Sequence, residues 1–242
     1  MKILITGASS GIGEALARLY AKAGHQLVLL ARREDRLKSL RAELFDAKSV
    51  ELVVVDVTDF ELLQDKIKSL NDIDMVILNA GASLGHSLEI TPFSDFKKIY
   101  DINLLSNHAI LELLLPQFKA KRSGKIVFIS SLASLISMPT SVAYSSSKRA
   151  LNAYAEGIRY KYKNDGIKVI NILPGFIKSE MTDKNSFKMP FFLDTKSGAK
   201  RIYEAIKKEK IFYPFPLRFY LIISVLKLFP QFLRDKIVNS LL

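Results

Sequence analysis

Residues 3–14 read Ile3-Leu4-Ile5-Thr6-Gly7-Ala8-Ser9-Ser10-Gly11-Ile12-Gly13-Glu14, and this stretch decides the fold. Ile3 to Thr6 predict a short buried strand. The glycine pattern G-x-x-x-G-x-G follows at once, and Ile12, Leu16 and Leu19 then recur on one face of a helix ending near Gly24. A strand that turns through glycines into a helix opens a βαβ unit. Glycine permits the tight turn and a close approach of backbone to ligand. The helix start offers unpaired N–H groups and the positive end of its dipole. Gly7, Ser9, Ser10, Gly11, Ile12 and Gly13 are therefore candidate contacts for a dinucleotide pyrophosphate.

Outward from this turn, apolar runs alternate with helical stretches. Strands are predicted at Leu27–Leu30, Leu52–Val55, Met75–Leu78, Ile126–Ile129 and Lys168–Leu173, with a last short one at Ile211–Tyr213. Helices are predicted over Glu34–Phe45, between the third and fourth strands, over Ile102–Phe118 and over Val142–Lys163. Continuous apolar strands suit a parallel sheet covered on both faces. The expected fold is α/β, a Rossmann-type doubly wound parallel sheet of about seven strands with helices on both faces. No linker or repeat divides the chain. One domain over 1–242 is expected, with a substrate-loop region at 176–193 and an apolar, basic tail at 214–242.

Composition narrows the chemistry. The 242 residues suffice for one buried core, and a hydrophobic share of 49% argues against disorder. The absence of cysteine excludes disulfides, thiolate catalysis and zinc–thiolate sites. His25, His86 and His108 are scattered, and no metal site is expected. The net charge of +12 suits anionic small molecules, an anionic membrane or nucleic acid. No basic run is interleaved with aromatics in a nucleic-acid motif, so no nucleic-acid partner is expected. The apolar run at the start is too short for a signal peptide. The expected location is the cytoplasm, with membrane association through the tail as the alternative.

The second strand is followed by Arg32 and Arg33, where a carboxylate would read a ribose 2′-hydroxyl. Two guanidinium groups suit a 2′-phosphate instead, which favours NADP(H) over NAD(H). Asp56-Val57 closes the third strand, where Asp56 can accept from an adenine amino group or cap the next helix beside Thr58. Asn79-Ala80-Gly81 follows the fourth strand with residues small enough for a cofactor to lie close. Tyr144 and Lys148 stand one helical turn apart on one face. A lysine ammonium beside a phenol favours the phenolate, lowering a pKa that is ~10 when unperturbed. Ser131, with Ser130 as the alternative, lies at the carboxyl edge of its strand, where such sheets bind ligands. Asn103 is polar within an apolar helix segment.

With these residues in order, the chain resembles the short-chain dehydrogenase/reductase family, in its classical group. The motifs are TGASSGIG, Asp56-Val57, Asn79-Ala80-Gly81, Asn103 within Ile102-Asn103-Leu104, Ile129-Ser130-Ser131, Tyr144 to Lys148, and Pro174-Gly175, over roughly residues 2–182. The resemblance implies an oxidoreductase that transfers hydride between nicotinamide and a carbonyl or alcohol substrate. It implies Tyr144 as general acid/base, and Lys148 as the group that lowers its pKa and holds the nicotinamide ribose. Ser131 is implied to polarise the substrate oxygen. Asn103 is implied to hold a helix irregularity and a water linked to Lys148. Pro174, Gly175, Ile177 and Ser179 join the cofactor contacts, Ser179 meeting the carboxamide, and a homodimer or homotetramer is implied. Two departures stand out: Ser134 where the family often has glycine, and Ser179-Glu180-Met181 where it often has Thr-x-Met. The contrasting reading is an NADP(H)-binding regulatory or structural module without turnover, for which a complete tetrad would be superfluous.

Substrate recognition is expected from residues 82–89, where His86 is a candidate contact, and from 176–193. Phe187, Met189, Phe191 and Phe192 there suggest an apolar pocket or a lid. The stretch Phe215–Phe229 carries Arg218 and Lys227 and is too short to span a bilayer, which takes ~20 residues. Three roles fit it: packing on the fold or across a dimer, resting on an anionic membrane, or covering an apolar substrate site.

Overall fold

The computed structural model describes residues 1–85, 87–185 and 189–240. The quoted strand is β1 (Lys2–Thr6), and the turn leads into α1 (Gly11–Lys22). Then follow β2 (Gln26–Ala31), α2 (Glu34–Glu43), β3 (Ser49–Val54), α3 (Phe60–Lys68) and β4 (Met75–Leu78). The second half holds α4 (Phe93–Tyr100), α5 (Ser106–Lys121), β5 (Gly124–Ile129), α6 (Val142–Lys161), β6 (Ile167–Pro174), α7 (Thr195–Lys207) and β7 (Phe212–Phe215). Two helices end the described chain, α8 (Leu217–Leu228) and α9 (Gln231–Asn239).

All strands pair in parallel in the order β3-β2-β1-β4-β5-β6-β7. The order reverses beside β1, the crevice where doubly wound sheets bind nucleotides. Successive side chains of a strand point to opposite faces. Ile3, Ile5, Met75, Ile77 and Val127 accordingly pack on one side with α1, α2 and α7. Leu4, Val76, Leu78, Ile126 and Phe128 pack on the other with α3, α5 and α6.

Differences from the sequence reading are local. The last strand begins at Phe212 rather than Ile211 and runs through Pro214, which an edge strand tolerates. The helix expected from Ile102 opens instead as a five-residue π turn, Asp101–Leu105, ahead of α5. The N-cap of α3 is Asp59, which accepts from the Leu62 N–H, rather than Thr58 or Asp56. The tail forms two helices, of which α8 seats Phe219, Tyr220 and Ile223 against Leu132 and Leu173.

Candidate active site

The glycine turn lies at the carboxyl end of β1. Gly7 adopts φ +65°, and a Cβ there would stand 3.0 Å from Ala80 Cα. A Cβ on Gly13 would fall 2.3 Å from the Gly7 carbonyl oxygen, so helix and turn meet as closely as backbones allow. Thr6 and Asn79 fasten this turn to the end of β4. The Thr6 hydroxyl accepts from the Asn79 and Ala80 N–H groups at 3.0 and 2.9 Å. Asn79 Nδ2 donates to the Thr6 carbonyl at 3.0 Å. Asn79 thus shapes the crevice through the turn itself. Ser10 precedes α1 in extended conformation without a side-chain cap bond, leaving first-turn N–H donors facing the crevice. A glycine cradle with free helix donors fits a pyrophosphate.

Arg33 leans into this turn. Its Nε donates to Ser9 Oγ at 3.1 Å and its Nη2 to Ser10 Oγ at 2.6 Å. Its Nη1 pairs with Glu180 at 2.7 Å, and Arg36 pairs with the other carboxylate oxygen of Glu180. The Arg36 and Arg33 guanidinium groups hold the Glu180 carboxyl below its ordinary range. Arg32 points elsewhere, to Asp56 at 3.5 Å. Burial alone would raise the Asp56 carboxyl, but the Thr58 N–H and hydroxyl at 3.0 and 2.9 Å, with Arg32, bring it below its ordinary value. Val57 packs against the core beside it. Neither Arg36 nor Glu180 was a site candidate in the sequence reading. Arg36 is signalled by its place one turn after Arg33, whereas Glu180 arrives from a distant segment.

At the carboxyl ends of β5 and β6 stand the proposed chemical groups. Lys148 is 3% exposed, and burial lowers its ammonium to about 8. Its Nζ donates to the Ile129 carbonyl at 2.9 Å and lies 6.0 Å from the Tyr144 ring centre. Against the lowering expected from Lys148, burial raises the Tyr144 phenol above its ordinary value, and the Ser131 hydroxyl draws it only part of the way back. Ser130 turns away: its hydroxyl donates to the Lys148 carbonyl at 3.3 Å and its N–H to Ile172 at 2.8 Å. Ser131 is therefore the serine that meets the phenol.

Asn103 is fully buried inside the π turn. Its Oδ1 accepts from the Ala82 N–H at 2.8 Å, and its Nδ2 donates to the Ala82 carbonyl at 3.1 Å and Ser147 Oγ at 2.9 Å. Asn107 Nδ2 donates to the Asn103 carbonyl at 2.8 Å, which offers that carbonyl a partner within the irregular turn. Asn103 thereby ties the segment after Gly81 to α6. Ser134 has a comparable fastening role: its hydroxyl donates to the Ser131 carbonyl at 2.5 Å and accepts from Asn152 Nδ2 at 2.5 Å. Asn152 in turn accepts from Asn171 at 2.9 Å. A glycine at 134 would forgo that link.

Beyond β6, the Gly175 N–H donates to Phe215 at 2.7 Å. Ile177 is buried against Gly198 and bridges Leu193 in parallel fashion. Its contacts are therefore those of a core residue. Ser179 lies over the turn: a Cβ on Gly11 would be 3.4 Å from Ser179 Cβ. Phe176 and Phe191 gather against Phe219, with ring centres 6.0 and 5.8 Å away. Met189 Sδ accepts from Asn185 Nδ2 at 3.5 Å, and Phe192 remains exposed. His86 and Phe187 lie outside the described residues. Among the described residues no group of three or more potential ligands could hold a metal ion.

Known proteins resemble this chain. A sequence model of the short chain dehydrogenase family matches residues 1–189. An uncharacterized oxidoreductase of Myxococcus xanthus is 32% identical over 243 residues, covering 98% of this chain and 96% of that protein. A 3-oxoacyl-[acyl-carrier-protein] reductase of Rickettsia prowazekii is 36% identical over 181 residues, 75% of this chain and 74% of its own. The solved short-chain dehydrogenase from Sphingobium yanoikuyae in complex with NADPH superposes with TM-score 0.82 at 24% identity, covering 95% and 96% of the two chains. At that identity the structural likeness speaks to the fold.

Proposed function

The chain belongs to the short-chain dehydrogenase family, oxidoreductases that act with a nicotinamide cofactor, and from that premise we propose an NADP(H)-dependent reductase of carbonyl compounds in which Tyr144 is the general acid/base. The observation that carries this reading is the buried Tyr144 phenol, under the influence of the Ser131 hydroxyl, with the buried Lys148 ammonium 6.0 Å from its ring and beside Gly81.

The nicotinamide supplies the hydride when bound. Tyr144 gives its proton to the substrate oxygen in the reductive direction and takes it back in the oxidative one. Ser131 donates to the same oxygen and stabilises the charge that develops there. Lys148, protonated below about pH 8, favours the phenolate left behind. Asn103 acts at one remove, holding Ala82 and Ser147 so that the crevice floor and α6 keep their spacing.

Gly7, Ser9, Ser10, Gly11, Ile12 and Gly13 would hold the pyrophosphate, and Arg33 with Arg36 the 2′-phosphate. Asp56 and Val57 would flank the adenine. Asn79, Ala80, Gly81, Pro174, Gly175 and Ser179 would shape the crevice along the rest of the cofactor, with Ile177 packed behind them in the core. The Arg33 contacts with Ser9 and Ser10 support NADP(H), since a bidentate guanidinium at the turn matches a phosphate. The clustered Phe176, Phe191 and Phe219 rings support an apolar substrate. A panel of ketones and aldehydes followed by NADPH consumption, with NADH in parallel, identifies the substrate class. Tyr144→Phe should bind NADPH as the parent does and lose at least about 100-fold in kcat. Retention of most turnover by that variant would remove Tyr144 from the chemistry.

A further inference from the structure

We propose that the outer face of α8 and α9 is a docking surface for an anionic phospholipid bilayer. The sequence of α8 is apolar on every side, a pattern that belongs to helices buried within protein or lying in lipid. The inner side is accounted for, because Phe219, Tyr220 and Ile223 seat on Leu132 and Leu173. Helical periodicity gathers Leu217, Leu221, Ile222, Val225 and Leu228 on the other side, with Arg218 among them. Each of those five apolar residues is at least half exposed, and Leu228 is 84% exposed. The apolar surface continues through Phe229, Phe232, Leu233 and Ile237. Exposed apolar residues on two consecutive helices form the kind of patch that marks an interaction site.

Charge identifies the partner. Residues 214–240 hold the cations Arg218, Lys227, Arg234 and Lys236 and the single acid Asp235, which accepts from Gln231. Among the described residues no carboxylate stands within ion-pairing distance of any of these four cations. Lys227 and Arg234 turn inward and line a cleft of about 660 Å³ with Arg149 and Arg159 of α6, so the outer face carries Arg218 among the apolar residues of α8 and Lys236 between Phe232, Leu233 and Ile237 of α9. Apolar side chains flanked by unpaired cations are complementary to acyl chains beneath phosphate headgroups. A two-fold contact between copies would bring identical patches together and set these cations against like cations. With 12 residues α8 is about 18 Å long, too short to cross a bilayer, so it lies in the interfacial plane.

The test reads vesicle binding and not turnover, so it stands apart from the catalytic reading. The intact protein is floated with phosphatidylcholine vesicles and with vesicles that also contain phosphatidylglycerol, at low and at raised salt. Binding to the mixed vesicles should exceed binding to phosphatidylcholine at least about tenfold at low salt, and fall as salt screens the headgroups. Leu221→Asp with Val225→Asp should lose binding while unfolding at the parent temperature, because both side chains already face water. Arg218→Gln with Lys236→Gln should weaken binding to the mixed vesicles by about fivefold per charge. Absence of binding by the parent protein at low salt overturns the proposal, as do variants that bind as the parent does. So does an oligomer that the aspartate pair splits while the parent ignores vesicles, an outcome that assigns the face to a second copy.

Discussion

Arg33 and Arg36 already hold an anion, the Glu180 carboxylate, at the place where a 2′-phosphate would meet the glycine turn. The two anions therefore compete for the same donors. An exposed ion pair is worth up to about 1 kcal/mol, so Glu180→Gln should tighten NADPH binding roughly threefold by fluorescence titration and leave NADH binding unchanged. Equal tightening of both nucleotides would show that Glu180 acts through the fold and not through the phosphate site. Lys148 carries a different tension. Its ammonium is lowered from 10.5 to about 8 by burial, so the unfolded chain binds that proton more tightly. The folded state bears the full cost below pH 8, less of it between 8 and 10.5, and none above. That cost is about 3 kcal/mol at neutral pH. Lys148→Met should accordingly raise stability to urea by about 2 kcal/mol near pH 7, after the loss of its bond to Ile129, with the gain fading toward pH 10.5. A variant less stable than the parent at pH 7 would contradict this account.

At the scale of elements, the strands and the helices of the first half were legible, but α4 and α7 were not read from the sequence, although α7 buries Ile202, Ala205 and Ile206 on one face. Met75–Leu78 is strand β4 to the residue because four consecutive apolar side chains between polar flanks leave few other options. The π turn at Asp101–Leu105 left no trace in the apolar period, since one extra residue in a helix barely shifts the pattern, and only the family resemblance anticipated an irregularity at Asn103. It exists because Asn103 is drawn toward Ala82 and Ser147, contacts separated by 21 and 44 residues. Helix α8 was legible as apolar but not as two-sided, because sequence cannot say which half of an all-apolar helix meets the fold. Ile223 is the buried residue that fixes that orientation. Ile223→Ala should speed amide exchange across α8 and α9 about tenfold or more, with exchange in β1, β4 and β5 unchanged. Uniform acceleration through the sheet would mean that the tail is part of the cooperative core.

Across the whole molecule, the sequence by itself determined the doubly wound sheet, because its central strands are apolar on both faces and alternate with helices. It also named the residues of the glycine cradle and of the Tyr144, Lys148 and Ser131 set, since motifs at strand ends of such a sheet converge on one edge. Charge was legible as a sum of +12 but not as a distribution. Among the described residues no helix is long and apolar enough to cross a membrane, yet the tail's outer face became visible only with the chain folded. Tertiary structure alone decided that Arg33 reaches the turn while Arg32 reaches Asp56, that Ser130 turns inward, and that Glu180 closes over two arginines. These are choices between adjacent residues of one type, or meetings across 147 positions of chain. Periodicity tells which side of an element a residue occupies, but the direction of a side chain within a crevice is set by whatever other segments place around it.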